Sequence, residues 1–164
     1  MSDVYTASMD NQTVVADETL VCLRAATAWS SRASLLEVLR VEVGQSGTST
    51  SQELGIILGQ KVSAFGTFTS TTPAPKNIGG VASGITGSTS VAAASCGTDA
   101  SAEGAGAVTT SIVSGFNNLN GYLWVPTPEE RIWIGPDLAW VVKLRGTPTT
   151  LTGWHCYVTF REVN

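Results

Sequence analysis

Apolar and polar residues alternate most clearly in the last third of the chain. Every second residue from Leu138 to Leu144 is apolar, and so is every second residue from Trp154 to Phe160. A period of two is the repeat of a β-strand, whose successive side chains point to opposite faces. Prolines and a Gly-Pro-Asp turn divide residues 121–144 into three apolar runs. The pattern therefore predicts three consecutive antiparallel strands in a meander, with Trp140 facing the core.

Further strands are predicted in the first half of the chain. Residues 4–25 indicate an opening strand pair, with Asp17 and Glu18 in a solvated turn between them. Residues 34–43 fit both helical and strand spacing, and we predict a strand because apolar and charged residues alternate at its end. Residues 53–68 supply one or two more strands, since their glycines are unfavourable in a helix.

Residues 70–111 differ in composition from the rest. They contain no aromatic residue and few charges, and Gly, Ser, Thr and Ala dominate. We expect short strands here, joined by a long surface loop at residues 92–106, and a possible N-terminal arm at residues 1–13. The whole chain, residues 1–164, is expected to form a single domain of about eight strands. The fold predicted is an all-β antiparallel sandwich of jelly-roll type with a long excursion rich in Gly, Ala, Ser and Thr.

The charge and the apolar runs of the chain argue against two classes of partner. Only 13% of residues are charged, and the net charge is −4 with an isoelectric point near 4.8, whereas proteins that bind nucleic acid usually carry a basic patch. No apolar run is long enough to span a bilayer, and the first residues do not resemble a signal peptide. We therefore expect no nucleic-acid or membrane partner, and synthesis in a cytoplasm.

The cysteines do not indicate a redox or metal function. Cys22, Cys96 and Cys156 are far apart in sequence and match no zinc-binding or disulfide spacing. We interpret Cys22 and Cys156 as small core residues within strands. The sequence thus indicates no metal and no cofactor.

Candidate catalytic residues are few. His155 is the only histidine, and no nucleophile elbow accompanies it. Glu129 and Glu130, with Asp137 nearby, could form paired carboxylates, although an ordinary solvated turn explains them better. We predict that the protein is not an enzyme and that His155 is a structural or interface residue.

The second face of the predicted strands is unusually apolar. Trp133, Val141 and Tyr157 would point away from the core, and His155 would lie on the same side as Tyr157. A monomer is expected to make such a face polar. These four residues are therefore predicted to form a subunit interface.

Several short motifs resemble a known family. They are V-G-Q-S at Val43–Ser46, T-P-A-P at Thr72–Pro75, W-V-P-T-P-E-E-R-I at Trp124–Ile132 and a last strand V-T-F-R-E. Together they resemble a family of small virion structural proteins of tailed phages and prophages. The resemblance implies a capsid decoration or cement protein of jelly-roll type, found at the capsid surface of the virion.

The role that follows is structural. The protein would form a homotrimer and bind the major capsid protein on the outside of the phage head, stabilising it. The number of tryptophans keeps an alternative open, a receptor-binding or carbohydrate-binding jelly-roll module of the virion. A hydrolytic enzyme on the same scaffold is disfavoured because no catalytic motif is present.

Overall fold

Thirteen strands and one short 3₁₀ turn make up the regular structure of the computed structural model, which describes residues 3–27, 33–89 and 94–163. The turn spans Pro128–Glu130. The strands are β1 Val4–Gln12, β2 Thr19–Arg24, β3 Leu35–Gln45, β4 Glu53–Lys61, β5 Thr67–Ser70, β6 Ala74–Pro75, β7 Thr86–Gly87, β8 Ser95–Ala102, β9 Val108–Asn117, β10 Tyr122–Trp124, β11 Ile132–Ile134, β12 Ala139–Arg145 and β13 Trp154–Val163.

The strands form two sheets packed face to face. Sheet A has the order β10-β3-β13-β1-β6, and β11 also pairs with β3. Sheet B has the order β5-β8-β2-β12-β4-β9, and β7 pairs with β8. All pairings are antiparallel except the short pairing of β7 with β8. The predicted all-β antiparallel sandwich is confirmed, with more strands than the eight expected.

The alternation seen in the sequence places the core correctly. The inward face of β13 from Trp154 to Phe160 is buried, and so are Trp140, Val142 and Leu144 of β12. The Trp154 indole donates a hydrogen bond to the carbonyl of Thr150 at 3.0 Å. These side chains form one apolar layer between the sheets.

Val141 is buried, although it was predicted to lie on an exposed face. It lies on the opposite side of β12 from Trp140, yet only 1% of it is exposed. A second, smaller apolar cluster covers it, in which Phe68 and Ala100 pack on the outer face of sheet B, with Phe65 beside them. The chain itself therefore covers Val141, which is a core residue here and not part of an exposed face.

The predicted meander is wrong. β10 and β11 do not pair with each other, since each pairs with a different part of β3. β12 belongs to the other sheet, where it lies between β2 and β4. The proline-rich segment between β10 and β11 cannot donate a full ladder of hydrogen bonds, and the turn at Gly135–Asp137 carries the chain across to sheet B.

The start of the chain also differs from expectation. β1 and β2 lie in different sheets, and β1 is no free arm because Val4–Met9 pair with Cys156–Arg161. Asp17 is exposed, but Glu18 is only 3% exposed. The backbone carbonyl of Glu18 accepts a hydrogen bond from the N–H of Leu144 at 2.7 Å. Residue 18 is therefore part of the sandwich and not of a solvated turn.

Two assignments of strands are confirmed and one loop is not. Of the predicted residues 34–43, all but the first belong to β3, and residues 53–68 contain β4 and the start of β5. The surface loop expected at residues 92–106 is instead largely β8, which pairs with β2 and β5; residues 92 and 93 lie outside the described residues. A Cβ at Gly97 would collide with Phe68, so small residues are needed here for close packing.

Replacing Trp140 with alanine should be strongly destabilising. Trp140 is among the largest fully buried side chains, and removing it would leave a cavity between the sheets. We expect a loss of about 3–5 kcal/mol in the free energy of unfolding, measured by urea denaturation. The matched control is Trp133→Ala, at a side chain that is 49% exposed, where the loss should stay below about 1 kcal/mol. Equal losses would contradict this assignment of faces.

Candidate interaction surface

The outer face of sheet A, the face turned away from the core, carries three of the four predicted interface residues. Trp133 lies beside Glu37 in the register of β11 and β3. Tyr157 lies beside Glu42, and His155 beside Gly44, in the register of β13 and β3. Trp133, Tyr157 and His155 thus share a face, as expected, whereas Val141 lies in the other sheet.

At one end of this face, a buried carboxylate forms ion pairs with two arginines. Glu37 is only 2% exposed and lies between Arg131, at 3.1 Å, and Arg161. Two arginines around one carboxylate compensate for its loss of hydration. Arg131 is the last charged residue of the P-T-P-E-E-R motif, so this ion pair fixes the proline-rich segment against β3.

A polar cavity of about 340 Å³ lies at the other end of the face. Its walls come from β3, β13 and β10 and from the turn at residues 118–121. The His155 ring lies directly over Gly44, where a Cβ would collide with Nε2. The rings of His155 and Tyr157 are 5.6 Å apart between centroids. Glycine at position 44 therefore allows the imidazole to lie flat on the sheet.

The cavity does not have the geometry of a catalytic relay. A Ser–His–Asp arrangement needs a carboxylate that orients the imidazole. Among the described residues, no carboxylate or hydroxyl forms a hydrogen bond with His155. Arg40 and Glu42 at the rim pair with each other. In the described residues, the His155 imidazole therefore lacks the orienting carboxylate of such a triad.

The other candidate carboxylates are used in local contacts. Glu130 accepts a hydrogen bond from the hydroxyl of Thr127 at 3.2 Å, and Glu129 is exposed on the 3₁₀ turn. Asp137 pairs with Arg24. In the part of the chain that the structure describes, no group of three or more His, Cys, Asp or Glu side chains could hold a metal ion. The geometry gives no support to paired acid–base carboxylates here.

A cluster of charged residues beside sheet B was not recognised in the sequence. Glu103 accepts hydrogen bonds from the Thr19 hydroxyl at 2.7 Å and from Lys143 at 2.6 Å. Lys61, which is almost fully buried, donates to the carbonyl of Glu103. These contacts fasten the connection between β8 and β9 to three other strands. Thr19 and Glu103 are 84 residues apart, so no local pattern could have revealed the cluster.

Glu18 is the most perturbed carboxyl of this cluster. Its pKa is raised from 4.5 to about 7, mainly by burial and to a smaller extent by the nearby Asp99 and Glu103, while the hydrogen bond from Val15 acts in the opposite direction. The Val15 N–H donates to Oε2 of Glu18 at 2.6 Å. The folded protein therefore holds a proton on Glu18 at a pH where the unfolded chain has lost it.

No protein-family model, no curated protein and no solved structure matches the chain. None of the helical structure in the described residues has the length and apolar character of a membrane-crossing helix. The fold, the outer face of sheet A and the short motifs are the features of this chain that bear on its function.

Glu18 should make stability fall as the pH rises. Its folded pKa of about 7 lies above the unfolded value of 4.5, so between these values the unfolded state loses its proton first. The free energy of unfolding should decrease across this range, by up to about 3 kcal/mol from this group. Glu18→Gln should remove the decrease, leaving a variant that is more stable than the wild type at pH 8, as measured by urea denaturation.

The control is Glu129→Gln, which changes an exposed carboxylate. Its unfolding free energy should follow the wild type at every pH. If Glu18→Gln also ran parallel to the wild type between pH 4 and 8, Glu18 would not be the titrating group.

Proposed function

We propose that this chain is a structural virion protein that binds the outer surface of a phage head and stabilises it. The observation that carries the proposal is the edge of sheet A, where Leu123, Val125 and Trp133 are each about half exposed or more. They flank the P-T-P-E-E-R segment, which Arg131 fixes to the buried Glu37. A rigid body that presents apolar side chains on a fixed edge is suited to docking on another protein.

The order of the strands supports a jelly roll. With β5 to β8 left aside, and β10 and β11 taken as one interrupted strand, eight strands remain. The first pairs with the last, the second with the next to last, and so on inward: β1 with β13, β2 with β12, β3 with β10 and β11, and β4 with β9. This nested order is that of a long hairpin rolled into two sheets.

Binding alone would be sufficient for such a role. A cement protein stabilises the assembled shell because it binds the shell and not its free subunits, and no reaction is needed. The partner would be the major capsid protein, met at the virion surface after synthesis in the host cytoplasm. The homotrimer stays a prediction, which rests on the advantage of three equivalent contacts at a three-fold position of the lattice.

The second candidate is a receptor-binding or carbohydrate-binding module of the virion. The cavity beside His155 favours it, since its walls include Arg40, Asn120 and Tyr122, which could bond to hydroxyl groups. Such a module would bind its ligand without stabilising the head. Head stability therefore separates the two candidates.

Purified protein should bind phage heads produced without it. Heads from a deletion of the coding gene would be mixed with the protein and sedimented. We expect saturable binding, and a rise in the temperature at which the heads release their DNA. Trp133→Asp should weaken the binding at least tenfold, because it places a charge on the docking edge.

The matched control is Ile78→Asp. Ile78 is fully exposed and follows β6, at the far edge of sheet A, so this variant should bind like the wild type. Folded wild-type protein that neither binds the heads nor raises their stability would overturn the proposal.

A further inference from the structure

The two sheets have four edges, and three of them are poorly suited to pairing with another strand. At one edge of sheet A, β6 has two residues and ends in Pro75. At the other edge, β10 and β11 have three residues each, and prolines lie between them. At one edge of sheet B, β5 has four residues and two register irregularities. Short, interrupted or proline-containing edges are the usual protection against unwanted pairing.

The fourth edge, β9, lacks these protections. It has ten residues and contains no proline. No charged residue or histidine occurs between Glu103 and Glu129, so β9 carries none of the charges that usually discourage pairing. Its register with β4 has one irregularity and is then regular from Ile112 to Asn117. In the described residues β9 pairs with β4 alone, so its other side offers unpaired backbone groups.

Both flanks of β9 have features that a neighbouring chain could cover. On the outer face of sheet B a shallow groove of about 490 Å³ runs over Gly55 and Gly115, beside Val113, and Glu53 of β4 and Arg145 of β12 also line it. Val113 is 52% exposed. A neighbouring strand would place its own side chains in this groove and remove Val113 from water.

On the inner side, a cleft of about 100 Å³ separates β9 from β11. Ser111 and Trp133 line it, together with Trp140. The Trp140 indole N–H is buried and has no hydrogen-bond partner, although buried tryptophans usually have one.

We propose that β9 pairs antiparallel with β9 of a second copy, about a two-fold axis, so that the two B sheets become one continuous sheet. A second copy is the occupant that fits the charge of the edge, because an uncharged strand then meets an uncharged strand. A two-fold contact also needs only one self-complementary surface, which β9 supplies.

The size of the contact requires the flanks as well as the strand. At about 3.4 Å per residue, a ten-residue strand gives an edge about 34 Å long. A stable pair buries about 800 Å² on each partner, which is more than the edge of one strand provides. Val113, which is 52% exposed beside the edge, would add to the buried area, and a contact below this size forms a weak pair that is best tested at high protein concentration.

This pairing does not depend on the virion role. A protein that pairs through β9 without binding phage heads would keep this inference and lose the proposed function. A protein that binds heads as a monomer would do the opposite. The two proposals therefore fail separately.

The test measures mass in solution. At about 100 μM, analytical ultracentrifugation of the wild type should give two copies of the 17.1 kDa chain, or six if a three-fold contact also forms. Val113→Lys places equal charges near the two-fold axis and should weaken pairing at least tenfold. Val113→Thr keeps a branched, uncharged side chain and should pair like the wild type. Ile78→Lys adds the same charge at the far edge of sheet A and should also pair normally.

Hydrogen exchange supplies a second readout on the wild type itself. In a pair, every amide from Ile112 to Asn117 should be protected, because alternate amides bond to β4 and to the second copy. In the Val113→Lys variant, the amides that would face the second copy should exchange as fast as solvent-exposed amides, because that copy no longer covers them. Wild-type protein of one or three copies, or with unprotected alternate amides, would overturn the proposal. So would a Val113→Lys variant that pairs as well as Val113→Thr.

Discussion

Each sheet of a β-sandwich must end in a strand whose outer backbone groups have no partner within the sheet. The fold described here meets this constraint in different ways at its four edges. Prolines shorten or interrupt both edges of sheet A, and irregular register distorts β5. β9 is long and uncharged. Among the described residues, β9 is therefore the edge with the fewest features that discourage pairing with another strand.

Charged contacts between residues distant in sequence hold two connecting segments against the sandwich. Glu37 receives Arg131 and Arg161 at the edge of sheet A, and Glu103 binds Lys143 beside sheet B. Glu37 is the buried member of these pairs, and removing one of its arginines would leave its charge less compensated, which costs more than losing a surface pair. Only 13% of the residues are charged, and several of these side chains form contacts that position loops and edge strands.

The sequence predicted what depends on local alternation and missed what depends on remote segments. The inward faces of β12 and β13 could be read because a period of two fixes which side chains are buried. The burial of Val141 could not, because Phe68 covers it from another part of the chain. The glycines and alanines of β8 resembled a loop, although Gly97 is small so that Phe68 can pack on it.

The most direct test of the proposed role is the number of copies in the particle. Quantitative mass spectrometry of purified virions would compare this chain with the major capsid protein. A decoration protein occupies repeated positions of the shell. We therefore expect hundreds of copies of this chain, in a simple ratio to the capsid subunit. A few copies would indicate a receptor-binding module instead, and none would contradict a structural role in the virion.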